Sequence, residues 1–491
     1  MHIEKNVCES IIGTLLNIPG KIKDGKKARL DLQEIGVRTE LAPQQSGKRA
    51  YLPSACYTLS RKEKISFCEC LSGVKVPSGY SSKPKNVVSM KDLKLVGMKS
   101  HDCHVFMQHL LPIAIQGILP KHVRVVITKL CYFFNAINSK VIDPMTLDKL
   151  QADIIVTLCE FEMYFLHSFF DIMVHLVMYL VREIKICDPL YLHQMYPFER
   201  FLCILKAYVR NRYLPEASMV EGYSVEETIE FCTDYLASTD SVGIPRSCHD
   251  GRLQGQGTLG HNMISPSDEM LDKAHLFVLQ HMTEVNPYLQ EHIVDIRQMH
   301  PSKSGKWVTK NHSSVSNTLK WLAYGLDIPV RSYQAFDVNG YTFYTKCQDD
   351  KSTVQNSGVS VEASSTKFER GNSITSCKWF DIRRGVRVDG SGFTLVDFDR
   401  FGHEDDLFIF ATQVKQVFYV RDPADHRWSI VLQSKRRIVG IDNVEDEEEY
   451  NQFDENPLFS VGIQTTLRED NADTNYARND QDEGQWIDGQ L

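Results

Sequence analysis

The sequence predicts a multidomain α+β chain: a mainly helical N-terminal region, then a small antiparallel β domain, then a disordered acidic tail. Three observations carry that prediction. Apolar residues recur at turn spacing through most of residues 1–236, and after residue 330 the pattern changes to short alternating, aromatic-rich runs. Residues 441–491 hold fifteen Asp or Glu against Arg468 and Arg478, a net of −13, so the formal −8 of the 491-residue chain leaves +5 for residues 1–440. With 42% hydrophobic residues the body can build real cores, whereas EDEEEY and REDNADTNYARNDQDEG in the tail cannot bury enough apolar surface to fold alone.

Taken in order, residues 1–95 open with a helix, because Ile3, Val7, Ile11, Ile12 and Leu15 share a face until Pro19-Gly20 stops it. The basic connector KIKDGKKARLD follows at 21–31, with Lys26, Lys27 and Arg29. Residues 43–60 are loop-rich, Arg61 to Cys70 reads as a short amphipathic helix, and PSGYSSKPKN is a connector. Residues 96–240 form a helical domain of about five or six helices, divided at Pro112, Gly117, Pro120, Asp143-Pro144, Asp188-Pro189 and Pro215. Glycine-rich polar residues 241–267 read as a linker, and 268–325 as a further helical segment.

The β domain is expected over 328–440. Asn339-Gly340, between two aromatic-rich runs, is a strong hairpin signal, and GFTLVDFD, LFIFAT, QVKQVFYVRD and RWSIVLQSK follow as strands, the last two joined by DPAD. Residues 347–373 read as a long loop. Neither face of QVKQVFYVRD is cleanly polar, which predicts a central or doubly covered strand. Tyr341, Phe343, Phe393, Phe408, Phe410, Phe418, Tyr419 and Trp428 accordingly read as core residues in preference to a base-stacking platform.

Several function classes are excluded. Thirteen cysteines occur in singles apart from Cys68 and Cys70, with no CxxC, which argues against a disulfide framework and for a reducing compartment. MHIEKNVCES has no basic-then-apolar pattern of a signal peptide. The most apolar stretch, residues 158–181, is interrupted by Glu160, Glu162, Asp171 and His175, short of the roughly 18 apolar residues a membrane helix needs. Nucleus or cytoplasm is therefore expected, not secretion. No GxSxG, HExxH or phosphate-cradling loop is present.

Two segments carry candidate chemistry. SHDCHVFMQH places His101, Cys103, His104 and His109 around Asp102; this is either part of a zinc site or a helix start capped by Ser100, with Val105, Phe106, Leu110 and Leu111 as its buried stripe. MYPFERFLCILKAYVRNRY reads as a helix with Pro197 in its first turn and Phe198, Phe201 or Leu202, Leu205, and Tyr208 or Val209 on its apolar face. Its other face, with Glu199, Cys203, Lys206 and Arg210 followed by Arg212, either complements the helix dipole or pairs a metal-binding Glu199 with Arg200, Lys206, Arg210 and Arg212 against a nucleic-acid backbone. Lys26, Lys27 and Arg29 are further DNA-backbone candidates.

HIEKNV, TLLNIPGKIKDGKKARLDL, MKSHDCHVFMQHLLPIAI, MYPFERF and KAYVRNRYLPEASMVEGY, taken together, resemble the C-terminal part of plant CACTA-type (En/Spm-like) transposon proteins. SYQAFDVNGYTFYTKCQDDKSTVQNSGV and the stretch from WFDIRRGVRVDG to VLQSK resemble a second domain of unknown function behind the same transposase core. The resemblance implies an RNase H-like acidic-triad transposase, with residues 1–95 as a remnant of its core and 96–240 as its helical insertion. It carries the final catalytic glutamate onto Glu199, with Glu4 as runner-up. The family segment similar to MHIEKNV follows an acidic residue, so the upstream acids are missing here. A lone carboxylate cannot assemble a two-metal clamp, and the expectation is a truncated, catalytically inactive protein. No cofactor is then expected for this chain, Mg or Mn being implied only if the missing core is present. The expected partners are DNA, a transposase or a second copy, with no membrane. The alternatives are a protein-interaction module without a nucleic-acid role, and a fragment of an active metal-dependent DNA transposase.

Overall fold

A computed structural model describes residues 2–46, 49–78, 80, 83–139, 141–193, 195–235, 255–281, 329–361, 374–402, 408–434, 476–478, 480–481 and 483–488. The helices are α1 (His2–Leu15), α2 (Lys26–Ile35), α3 (Arg61–Gly73), α4 (Ser100–Val105), α5 (Leu111–Ala114), α6 (Lys121–Ile137), α7 (Leu147–Tyr164), α8 (Ile172–Leu176), α9 (Leu180–Cys187), α10 (Tyr196–Ala207), α11 (Pro215–Tyr235), α12 (Asp268–His281) and α13 (Lys346–Lys351). The strands of the N-terminal half are β1 (Gln44–Ser46), β2 (Arg49–Leu52), β3 (Val88–Ser89) and β4 (Lys94–Leu95). Later strands are β5 (Gln256–Leu259), β6 (Asn262–Ile264), β7 (Val330–Ser332), β8 (Ala335–Val338), β9 (Tyr341–Tyr344), β10 (Gly358–Ser360), β11 (Ile374–Ser376), β12 (Trp379–Phe380), β13 (Val386–Val388), β14 (Thr394–Asp397), β15 (Phe401–Gly402), β16 (Phe408–Phe410), β17 (Lys415–Arg421), β18 (Trp428–Gln433) and β19 (Gln485–Asp488). The N-terminal half is thus helical and the C-terminal region antiparallel sheet. Among the described residues no helix is long and apolar enough to cross a membrane.

The helical part is organised around α1. Val7, Cys8, Ile11 and Leu15 have no exposed surface, and α4 and α8 pack against this helix. Between α4 and α5 the backbone widens into a π turn over Phe106–Leu110. Pro112 gives the reason: it has no N–H to offer the Gln108 carbonyl, and its ring would clash with that carbonyl in a regular helix. The first 95 residues supply much of the core, including Tyr57, Phe67 and Leu71.

The main sheet has the order β10-β17-β18-β14-β13, antiparallel throughout. β17 lies inside it, and Gln416, Val417, Phe418 and Val420 are all buried, as its two-sided pattern requires. Asn339 and Gly340 both take positive φ, 51° and 73°, which matches the twist of a two-residue hairpin between β8 and β9. At the DPAD turn the Asp422 carboxylate accepts from the Ala424 N–H at 2.8 Å.

The expected linker and loop are more ordered than their composition implied. Of residues 241–267, the described part, 255–267, holds β5 and β6, which pair with β8 and β7. Gly257 is needed there, since a Cβ would fall 2.0 Å from the Tyr333 ring. Of the segment 268–325 the described part, 268–281, is α12, and its Phe277 packs on Phe410 at 5.2 Å. Within 347–373, the buried Asp349 carboxylate accepts from the N–H groups of Asn356 and Ser357, at 2.9 and 2.8 Å, and so folds α13 onto β10. Residues 362–373 and 441–475 lie outside the described residues.

Helices and sheet share one core. Phe393, Leu395, Phe418, Val420, Ile430 and Leu432 belong to the same buried cluster as α1, α6 and α7. Tyr80 meets Phe418 edge-on at 5.0 Å, Tyr132 donates to the Ser391 carbonyl at 2.6 Å, and Gln116 donates to Asp389 at 2.9 Å. At Gly117 a Cβ would stand 2.6 Å from that of Ala424, so the two parts touch through backbone. Phe418→Ala should therefore destabilise the whole body by about 3–5 kcal/mol, not the sheet by itself. In urea, helical circular dichroism and tryptophan fluorescence should shift together to the same lower midpoint; two separated transitions would contradict a shared core.

Candidate functional site

Glu4 sits in the first turn of the buried helix α1 and is 4% exposed. A carboxylate there must be matched, because an unpaired buried charge is costly. His104 Nδ1, from α4, lies 2.8 Å from its Oε2, and Gln108 Nε2, from the π turn, donates to its Oε1 at 3.1 Å. Both carboxylate oxygens are thus committed to protein groups. Beside them, burial and the hydrogen bond that the Cys8 S–H makes to Cys103 push the Cys8 thiol well up, and burial does the same to Cys131. Both thiols have no exposed surface, and the upward shift favours the thiol over the reactive thiolate.

SHDCH is a helix start whose cap differs from the expected one. Ser100 is the first helical residue, and the Asp102 carboxylate reaches back to accept the Lys99 N–H at 2.9 Å. His101 stacks on His104 at 6.3 Å and Cys103 is buried. Among the described residues no three His, Cys, Asp or Glu side chains converge in a way that could hold a metal ion.

The basic candidates separate into two kinds. Arg29 is 3% exposed; it pairs with both oxygens of Asp24 at 2.7 and 2.8 Å and donates to the carbonyls of Leu41 and Pro53. Burial opposes its charge, but Asp24 outweighs burial and raises its pKa. Tyr57 also donates to Asp24, at 2.9 Å. Arg29 is thus a buried strut, a role its place in a basic run could not reveal. Lys23 of the same connector donates to Asp171 at 2.9 Å; Lys27 is exposed and Lys26 half-buried.

Lys206, in the last turn of α10, and Arg210 and Arg212, in the turn that follows, are exposed, and none pairs with a carboxylate among the described residues. Glu199 and Arg200 lie within α10, but their side chains are outside the described set. α10 and α11 form a hairpin closed by Phe201 edge-on to Tyr223 at 6.4 Å and by Gly222, where a Cβ would meet that of Tyr208 at 2.8 Å. Of the expected apolar stripe, Phe201 and Leu202 are 46% and 61% exposed, Leu205, Tyr208 and Val209 are half-buried, and the Phe198 side chain lies outside the described set; the described residues of α10 and α11 contribute nothing to the buried core.

Residues 137–246 match a family described as Domain of unknown function (DUF4218), and residues 371–431 match Domain of unknown function (DUF4216). Both families are typical of plant transposon-derived proteins. No curated protein and no solved structure matches the chain. The first match spans α7 to α11 and so contains Glu199 and the exposed cations; the second spans the strands from β11 into β18. Sequence reasoning missed the Glu4–His104–Gln108 cluster as a unit, although the i, i+4 spacing of His104 and Gln108 was a usable signal.

Two outcomes are expected. Glu4→Ala strands His104 and Gln108 without their acceptor and should lower stability by about 3–5 kcal/mol, with Glu4→Gln milder because its amide oxygen still accepts; a urea midpoint unchanged in Glu4→Ala would contradict this. Burial raises the Asp171 pKa, but the hydrogen bond from Lys23 and the N–H groups of Val174 and Met173 outweigh it, so the folded value is depressed. Its contribution is present above the ordinary Asp value of about 3.9 and lost as pH falls through the folded value. The melting-temperature gap between wild type and Asp171→Asn should accordingly close on acidification; a gap that widens in acid would reverse the assignment.

Proposed function

We propose that the chain is a transposon-derived protein of the CACTA (En/Spm-like) kind that binds DNA without cutting it, and that acts in the nucleus. The observation carrying this reading is the exposed trio Lys206, Arg210 and Arg212, which pairs with no carboxylate among the described residues and lies inside the family match that covers α7 to α11. Cations held in solvent at one end of a helical hairpin can each displace a counterion from a phosphate, which makes affinity fall steeply with salt. Inactivity is supported by Glu4, whose oxygens are both taken by His104 and Gln108.

A second reading is favoured by the apolar exposure of the same hairpin. Phe201, Leu202, Ile204, Val225, Ile229 and Phe231 are each 46–71% exposed, a surface suited to a protein partner such as a transposase or a second copy.

Fluorescence anisotropy with duplex DNA across a salt series separates the two. Wild type should bind at low salt, and the K206A/R210A/R212A variant should bind more weakly, with the slope of log K against log salt reduced by about 3. No binding at low salt, or an unchanged slope in the variant, would remove the DNA reading and leave the protein-partner one. With transposon-end DNA and manganese no nicking is expected, and Glu199→Gln should change nothing; nicking lost in that variant would show an active enzyme.

A further inference from the structure

The last described residues, 476–478, 480–481 and 483–488, return to lie on β2 and the N-terminal turn of α3. β19 adds antiparallel to β2, from Gln485 opposite Leu52 to Asp488 opposite Arg49. Ahead of it, Cys56 N–H donates to the Tyr476 carbonyl at 2.7 Å, Arg478 N–H donates to the Ser54 carbonyl at 2.9 Å, and Ala477 bridges Ala55.

Arg478 is the anchor. Its side chain is 6% exposed and donates to both Glu63 oxygens at 2.8 Å, to the Thr58 carbonyl at 3.3 Å and to Asp480 at 2.8 Å, although Thr58 lies 420 residues upstream. Glu63 is also the capping-box residue of α3, with its carboxylate on the Ser60 N–H, so the guanidinium is tied to a rigid helix start. Burial opposes the Arg478 charge, but its hydrogen bonds to Asp480 and Glu63 outweigh burial and raise its pKa. Beyond the anchor, Glu483 accepts from the Arg61 N–H at 2.5 Å, Gly484 N–H donates to the Tyr51 hydroxyl at 3.0 Å, and Trp486 meets the Tyr51 ring at 5.2 Å. Gly484 permits the approach, since a Cβ would lie 2.3 Å from the Leu52 carbonyl.

We propose that the β2 edge and the N-terminal turn of α3 form a peptide-recognition groove whose tethered ligand is the chain's own C-terminal segment, residues 476–488. The mode is strand addition, in which main-chain bonds supply affinity and a few side-chain seats supply selectivity. Here the selective seat is Glu63, which takes an arginine in bidentate geometry, a fit that lysine cannot reproduce. The contacts come from one short contiguous stretch, so they do not need the covalent connection; that connection raises the ligand's effective concentration. The partner class that fits in trans is an extended segment with an arginine, a carboxylate two residues on and an aromatic after it, the C-terminus of a second copy included.

The test uses the full chain with a protease-recognition site inserted between residues 441 and 475 and cut under native conditions. The released C-terminal fragment should still co-elute with the body on gel filtration at micromolar concentration. Excess synthetic peptide of residues 474–491 should displace it, and the same peptide carrying Arg478→Ala should be weaker by about 10-fold or more. A fragment that elutes free, or an R478A peptide that displaces it as well as the wild-type peptide, overturns the proposal.

Discussion

The structure depends on the burial of α1. A helix with Val7, Cys8, Ile11 and Leu15 wholly withdrawn from solvent needs neighbours on every side, and α4, α8 and the π turn supply them. Because Glu4 is carried inside with that helix, the packing has to deliver His104 and Gln108 to both of its oxygens. Hydrophobic burial and polar satisfaction are thus met by the same contacts, and the irregular turn ahead of Pro112 lies where they meet.

From that centre the core continues without a break into the sheet. Phe418 sits on an inner strand yet packs against Tyr80 of the N-terminal half, and Gly117 lets its loop touch Ala424. Parts that look like separate domains by periodicity are joined because neither covers its apolar face alone: the sheet is closed on one side by helices, and the helices are closed by the sheet. The α10–α11 hairpin is the exception. It holds itself together through Phe201, Tyr208, Gly222 and Tyr223 and leaves apolar residues and cations in solvent, which is why the functional reading rests on it.

Charge is sorted by burial more than by composition. Arg29 and Arg478 stand in polar, charge-rich runs, yet each is drawn into the interior by a bidentate carboxylate, Asp24 for one and Glu63 for the other. Lys206, Arg210 and Arg212 have a similar local appearance but no such partner among the described residues. Only guanidinium presents the planar fork that makes the buried pairing geometrically sound.

Periodicity and turn chemistry in the sequence by themselves determined the helical N-terminal half, the antiparallel C-terminal sheet, the Asn339-Gly340 hairpin and the inner position of β17. Those features arise from spacing over a few residues, where 3.6- and 2-residue repeats and positive-φ preferences act locally. The tertiary structure decided which polar residues meet: Glu4 with His104 and Gln108, Asp24 with Arg29, and Glu63 with Arg478. It also decided that glycine-rich residues 255–267 become strands and that Leu202 stays exposed. These outcomes join positions up to hundreds of residues apart, and a charge or an apolar face carries no local mark of the partner that will cover it.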